Sequence, residues 1–237
     1  MIGIIFLVFV VFLALGVPIA FSVGWTSLVP YLMDSGFTAD SEFVFRTMVN
    51  GLDSYVLLAI PLFMLSSSIM AASGMSDRLF NFFAYFFGER PAGMPIAVVI
   101  TCLFYGAICG SGPATVAAIG TMCIPLLVRL GYDKDFVTAM TAVSGGLGVI
   151  IPPSIPFVIY GIATNSNIGT LFIAGFGPGI MIGIALIVVS RFICKKRGYL
   201  GTERKSTGKE KLQAINEAKW ALIMPLIILG GIYGGIF

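Results

Sequence analysis

Residues 106–118 read GAICGSGPATVAA, and Gly110-Ser111-Gly112-Pro113 at their centre decides how the chain folds. The tetrad stands in the middle of Pro91–Val128, a run of 38 residues without Asp, Glu, Lys or Arg. A single helix of that length, at about 1.5 Å per residue, would far exceed a hydrocarbon core of ~30 Å. Two full crossings would need about 40 residues before any loop is counted. Glycine and proline interrupt the helix here, yet no charged or amide side chain accompanies them, as it would in a turn that reached water. A turn inside the bilayer has to be small and enclosed by protein, because lipid cannot satisfy its backbone. Two half-helices, Pro91–Ile108 and Ala114–Val128, are therefore predicted to form a re-entrant hairpin. Two ordinary spans joined by a tight Gly-Pro turn are the alternative.

The next uncharged run, Phe136–Ser190, covers 55 residues and repeats the pattern. Gly145-Gly146-Leu147-Gly148 leads into Pro152-Pro153-Ser154 and Pro156. A double proline removes two backbone donors and blocks continuation of the helix before it. The expectation is a broken helix, Asp135–Val149 and Ser154–Thr164, with unwound backbone between. Asn165-Ser166-Asn167 then makes a polar turn before an ordinary span over Leu171–Ile193.

Outward from these two breaks, the whole chain is short of charge. Of 237 residues, 58% are apolar and 11% charged, against about 25% charged in an average soluble domain. So little polar surface excludes a soluble enzyme and predicts an all-α polytopic membrane protein. Met1–Met33 is uncharged and interrupted at Gly16-Val17-Pro18, which reads as a helical hairpin or a single kinked helix. It lacks a basic leader segment and an A-x-A-like cleavage site, so a retained span is expected rather than a signal peptide. A polar stretch from Asp34 to Asp53 follows, then a span over Ser54–Ala72 containing Pro61. Ser76–Arg90 is too short to span; its aromatic core suits the membrane interface, or packing against other spans. Residues 195–219 carry eight basic against three acidic side chains and are placed in the cytoplasm by the positive-inside rule. Topology alone accounts for that charge, so no nucleic-acid partner is implied. The domain reading is a first membrane repeat over residues 1–194, with an interfacial helix 76–90, hairpin 91–128, broken helix 135–164 and span 169–194. A basic connector, 195–219, leads to the first span of a second repeat, 220–237. Five crossings before the connector would make that second repeat inverted.

Breaks at membrane depth leave backbone carbonyls and helix ends without partners, an expense that a bound ion would offset. Neither broken segment holds a charged side chain, which disfavours a carboxylate proton relay and favours Na⁺ held by carbonyls and hydroxyls. The candidate ligands are backbone oxygens around Gly110, Ser111, Gly112, Gly148, Ile151 and Pro152, with hydroxyls from Ser111, Thr115 and Ser154. The chain has no His, which excludes imidazole catalysis and His-ligated metals. Ser111 does not sit in a G-x-S-x-G motif, so no enzyme is expected. Cys102, Cys109, Cys123 and Cys194 form no CxxC pair and read as small hydrophobes. An ion channel with a Gly-rich re-entrant filter is the alternative function; it lacks a ring of pore-lining charges.

Three stretches in order, Leu58–Leu65 (LAIPLFML), Gly106–Ala118 (GAICGSGPATVAA) and Gly148–Gly161 (GVIIPPSIPFVIYG), resemble the large membrane subunit of TRAP transporters, the tripartite ATP-independent periplasmic transporters of bacteria. The resemblance runs along essentially the whole chain. It implies an elevator-type secondary transporter of the bacterial inner membrane, built from two inverted repeats that each carry a hairpin and a broken helix. It implies Na⁺-coupled uptake of organic acids such as C4-dicarboxylates or sialic acid. It also implies a small four-helix membrane partner and a periplasmic substrate-binding protein. Gly110–Thr115 and Gly148–Ser154 would then form the first Na⁺ site. The family's second hairpin and broken helix would lie beyond Phe237.

Overall fold

The computed structural model describes residues 2–33, 41–199, 201 and 207–234, and every regular element among them is a helix. Among the described residues, four stretches are long and apolar enough to cross a membrane: Tyr55–Ala72, Gly112–Arg129, Ile168–Arg197 and Gly208–Gly231. A fifth is obtained if Lys134–Ile150 and Ile155–Thr164, bent by 40° at their junction, count as one. The chain is thus a polytopic helical membrane protein. It divides into two compact units, Met1–Leu57 and Leu58–Phe237.

In the first unit, α1 (Ile2–Ala14) stops just ahead of Gly16, whose φ is +77°, and α2 (Ile19–Ser27) starts after Pro18. The helix therefore ends where Gly16-Val17-Pro18 predicts, and α2 packs back on α1. Ser22 donates to the Pro18 carbonyl at 3.2 Å and Thr26 to the Ser22 carbonyl, so the buried hydroxyls of α2 are satisfied within the helix. A short α3 (Val29–Met33) follows. Of the polar stretch, residues 34–40 lie outside the described residues. Residues Ser41–Leu52 form α4, where Arg46 pairs with Glu42 at 2.7 Å, one turn apart and exposed.

The second unit holds the two breaks. Its helices are α5 (Ala59–Ala72), α6 (Met75–Phe87), α7 (Gly93–Cys109), α8 (Gly112–Arg129), α9 (Lys134–Gly145), α10 (Leu147–Ile150), α11 (Ile155–Thr164), α12 (Ile168–Arg197) and α13 (Gly208–Tyr233). The α7–α8 pair is the centre of the unit, and α9 and α10 pack on both of its arms. Backbones approach closely there because glycines face one another. A Cβ on Gly106 would land on the Gly148 backbone, and one on Gly145 would strike the Val116 side chain. The aromatic helix α6 packs on α7 and α13. It buries Leu79, Phe80 and Phe83 and leaves Tyr85 and Phe86 exposed.

The basic connector belongs partly to its neighbours. Helix α12 runs on to Arg197, and α13 begins at Gly208 behind a Thr207–Glu210 capping box, twelve residues before Trp220. Hydrophobicity marks where a helix enters lipid, whereas caps and side-chain pairs such as Gln213–Glu217, at 2.8 Å, mark where it starts. The start of α9 is fastened to the end of α12. Asp133 caps α9 by accepting from the Phe136 N–H at 2.8 Å, and it pairs with Arg197 at 3.2 Å. The Asp133 N–H donates to the Tyr199 hydroxyl at 3.1 Å, and Tyr199 packs against Tyr132 at 4.8 Å. The Phe136 N–H, seconded by Arg197, holds the Asp133 carboxyl below the usual carboxylate range.

Candidate functional site

Three prolines make the site. In an α-helix each N–H bonds the carbonyl four residues earlier. Pro152, Pro153 and Pro156 have no N–H, so the carbonyls of Gly148, Val149 and Pro152 lose their ordinary partners. One of the three is rescued: the Ser154 hydroxyl donates to the Val149 carbonyl and accepts the Phe157 N–H at 3.4 Å. Among the described residues, no backbone N–H outside the helix ladders donates to the carbonyls of Gly148, Ile151, Pro152 or Pro153. All four residues are buried, and unpaired buried carbonyls are uncommon in a folded protein.

The hairpin tip lies directly against this break. Gly110 ends α7 in the left-handed region, with φ +62°, and its carbonyl accepts the Ile155 N–H at 3.2 Å. A side chain on Gly110 would stand 2.7 Å from the Pro153 carbonyl oxygen. Ser111 is extended, with φ −135° and ψ 122°, and opens α8; Ser154 is extended, with φ −126° and ψ 124°, and opens α11. Both helices begin Ser-x-Pro, a fixed φ in the first turn where no donor is wasted. A Cβ on Gly148 would lie 2.5 Å from Thr115 Oγ1 and 3.3 Å from the Ser111 carbonyl oxygen, and one on Gly112 would lie 2.8 Å from Val149 Cγ2.

The structure therefore brings together the residues that the sequence nominates. It also separates oxygens that are engaged from those that are open. The Ser111 carbonyl accepts three donors: the Thr115 N–H at 3.1 Å, the Thr115 hydroxyl at 2.8 Å and the Cys109 thiol at 3.3 Å. Its lone pairs are used. The Ser111 side chain makes no capping bond and is partly exposed, so of the two Ser111 oxygens the hydroxyl is the available one. Thr115 Oγ1 spends its hydrogen on the Ser111 carbonyl but keeps a lone pair toward Gly148. Gly110 O, with one bond made, retains acceptor capacity. Gly112 contributes the close approach to Val149, and Ile151 packs its side chain on Gly179.

Sequence reasoning missed two participants. Pro153 adds a free carbonyl because the N–H four residues on, that of Phe157, is taken by the Ser154 hydroxyl. Cys109 holds the tip: besides its bond to the Ser111 carbonyl, its sulfur lies 3.1 Å from Thr115 Oγ1. Four helix ends also meet here. The C-terminal ends of α7 and α10 carry partial negative charge, and the N-terminal ends of α8 and α11 carry partial positive charge. Among the described residues, no group of three or more His, Cys, Asp or Glu could hold a metal. What the site offers a ligand is neutral oxygen.

Comparison with known proteins places this arrangement in a family. The description "Tripartite ATP-independent periplasmic transporter, DctM component" matches residues 6–237. The chain is 45% identical over 228 residues, 96% of its length, to the isethionate TRAP transporter permease protein DctMQ of Oleidesulfovibrio alaskensis, covering 36% of that protein. It is 39% identical over 237 residues, its whole length, to the C4-dicarboxylate TRAP transporter large permease protein DctM of Vibrio cholerae, covering 52% of it. To the sialic acid TRAP transporter large permease protein SiaM of Vibrio cholerae it is 36% identical over 222 residues, 94% of this chain and 51% of that protein. The chain spans about half the length, or less, of these relatives. It belongs to the DctM-component family of tripartite ATP-independent periplasmic transporters.

Proposed function

We propose that this chain supplies the first repeat of a Na⁺-coupled secondary transporter that imports small organic acids across the bacterial inner membrane. The observation that carries the proposal is the set of open carbonyls at Gly148, Ile151, Pro152 and Pro153, set against an uncharged Gly110–Thr115 tip. Such oxygens suit a hard monovalent cation. The hydroxyls of Ser111, Thr115 and Ser154 complete the coordination. In this reading α7 and α8 are a re-entrant hairpin, and α9 to α11 a broken helix whose gap lies at membrane depth. The C-terminal ends of α7 and α10 favour the cation, while the N-terminal ends of α8 and α11 favour an acidic group beside it. Isethionate, C4-dicarboxylates and sialic acid, in the names of the relatives, are all organic acids.

Membership of the family supports the remaining parts of the proposal. A second, inverted repeat supplies the other half of the substrate site, and the two move together by an elevator mechanism. A small four-helix membrane subunit and a periplasmic binding protein complete the assembly, the latter delivering substrate. The basic segment 195–219 lies in the cytoplasm. Reconstitution of the complete assembly tests the coupling: uptake should collapse when Na⁺ is replaced by K⁺ or choline, and undiminished uptake would overturn the proposal.

A further inference from the structure

Two buried side chains beside the site lack the bond that other buried helical hydroxyls make. A helical Ser or Thr that is buried can donate its hydrogen to the carbonyl four residues earlier. Thr26, Thr101 and Thr115 do so, donating to Ser22, Ala97 and Ser111. Thr141 Oγ1 and Ser144 Oγ on α9 have no hydrogen-bond partner, although both residues are fully buried at 0% exposure. Leaving a buried hydroxyl unpartnered is unfavourable, and here two stand on one helix within a single turn.

Their position connects them to the breaks. Thr141, Ser144 and Gly148 follow the three- and four-residue spacing that puts side chains on one helical face. At one end of this stripe, Gly148 faces Thr115 Oγ1 and the Ser111 carbonyl; at the other, the Thr141 methyl would lie 3.5 Å from a Cβ on Gly120 of α8. Ser144 is thus about one turn, ~6 Å along the axis, from the open carbonyl of Gly148. Both hydroxyls are sealed within this unit already, so neither a partner subunit nor a large solute can reach them. Each also needs an acceptor for its hydrogen, which a cation cannot provide and water can.

We propose that Thr141 and Ser144 bind a shared buried water that serves as the hydration step between the cation site and the Asp133 end of α9. The water accepts a hydrogen from each hydroxyl, and as one of those bonds is released it becomes the departing cation's first solvent ligand. The binding of water stands without the Na⁺ reading; only its service to the cation rests on that reading.

The test uses the complete transporter and the variants Thr141→Val, Ser144→Ala and their double, with thermal unfolding followed in choline chloride and in NaCl. In choline, each single variant should lower the unfolding temperature by about 2–4 °C. The double should lose less than the sum, because both changes release the same water. Unchanged or raised unfolding temperatures would overturn the proposal, since that is what deleting a merely unpartnered hydroxyl does. Strictly additive losses would overturn the shared water. In NaCl titrations, the half-saturating Na⁺ concentration should rise at least about threefold in the double variant (~0.6 kcal/mol). A normal Na⁺ response with lowered stability would overturn the service to the cation. A wild type that ignores Na⁺ altogether would defeat the proposed function instead, leaving the choline arm to decide the water.

Discussion

Ser111 is the residue at which the chemistry of the site turns on one atom. Its carbonyl is occupied by three donors, whereas its hydroxyl is uncapped. Ser111→Ala should therefore spare the tip and raise the Na⁺ requirement of uptake about tenfold, the equivalent of ~1.4 kcal/mol. Unchanged Na⁺ dependence would remove Ser111 from the ligand set. Gly148 tests packing instead. Alanine there would place a Cβ 2.5 Å from Thr115 Oγ1 and 3.1 Å from the Gly106 Cα, a clash with backbone that cannot give way. Gly148→Ala should cost about 1–3 kcal/mol in thermal unfolding and abolish uptake. At this scale the glycines and serines were legible in the sequence, because a charge-free break announces which residues are small. Cys109 was not: its composition reads as apolar, and only the left-handed turn at Gly110 brings its thiol onto the Ser111 carbonyl.

The break between α10 and α11 is an element defined by missing donors. Replacing Pro152 and Pro153 together by alanine would return N–H groups to the carbonyls of Gly148 and Val149, letting α10 run on. The double variant should stay folded, gain helical circular dichroism and lose its Na⁺ response; an intact Na⁺ response would show that the open carbonyls are not ligands. The other end of α9 responds to pH. Asp133 is held below the usual aspartate value by the Phe136 N–H and by Arg197. Its stabilising contribution is thus fully present above the unfolded value of about 3.9 and is lost as pH falls through the lower folded one. Unfolding temperature should show this loss in the wild type and lack it in Asp133→Asn. Element positions followed closely from the sequence: the expected arms Pro91–Ile108 and Ala114–Val128 correspond to Gly93–Cys109 and Gly112–Arg129. The extra interruption at Gly146 within the α9–α10 stretch was not foreseen. A glycine inside an apolar helix carries no signal of its own, and here it serves the close approach of Gly145 and Gly148 to the hairpin.

For the whole molecule, scarcity of charge pointed to the fold class, and its distribution nominated the candidate site. Long uncharged runs interrupted by Gly, Ser and Pro leave backbone and hydroxyl oxygen as the chemistry at the breaks. What lay outside reach was the hydrogen-bond accounting that tells an engaged carbonyl from an open one, since that depends on the local turn that brings Thr115 and Cys109 onto the Ser111 carbonyl and on the distant contact of Ile155 with Gly110. The central claim is that these open oxygens bind Na⁺. Its most direct test is the unfolding temperature of the complete transporter, without substrate, titrated with NaCl against choline chloride at constant ionic strength. A saturable rise with Na⁺, shifted to about tenfold higher concentration by Ser111→Ala, is the predicted result; identical unfolding temperatures in Na⁺, K⁺ and choline would contradict it.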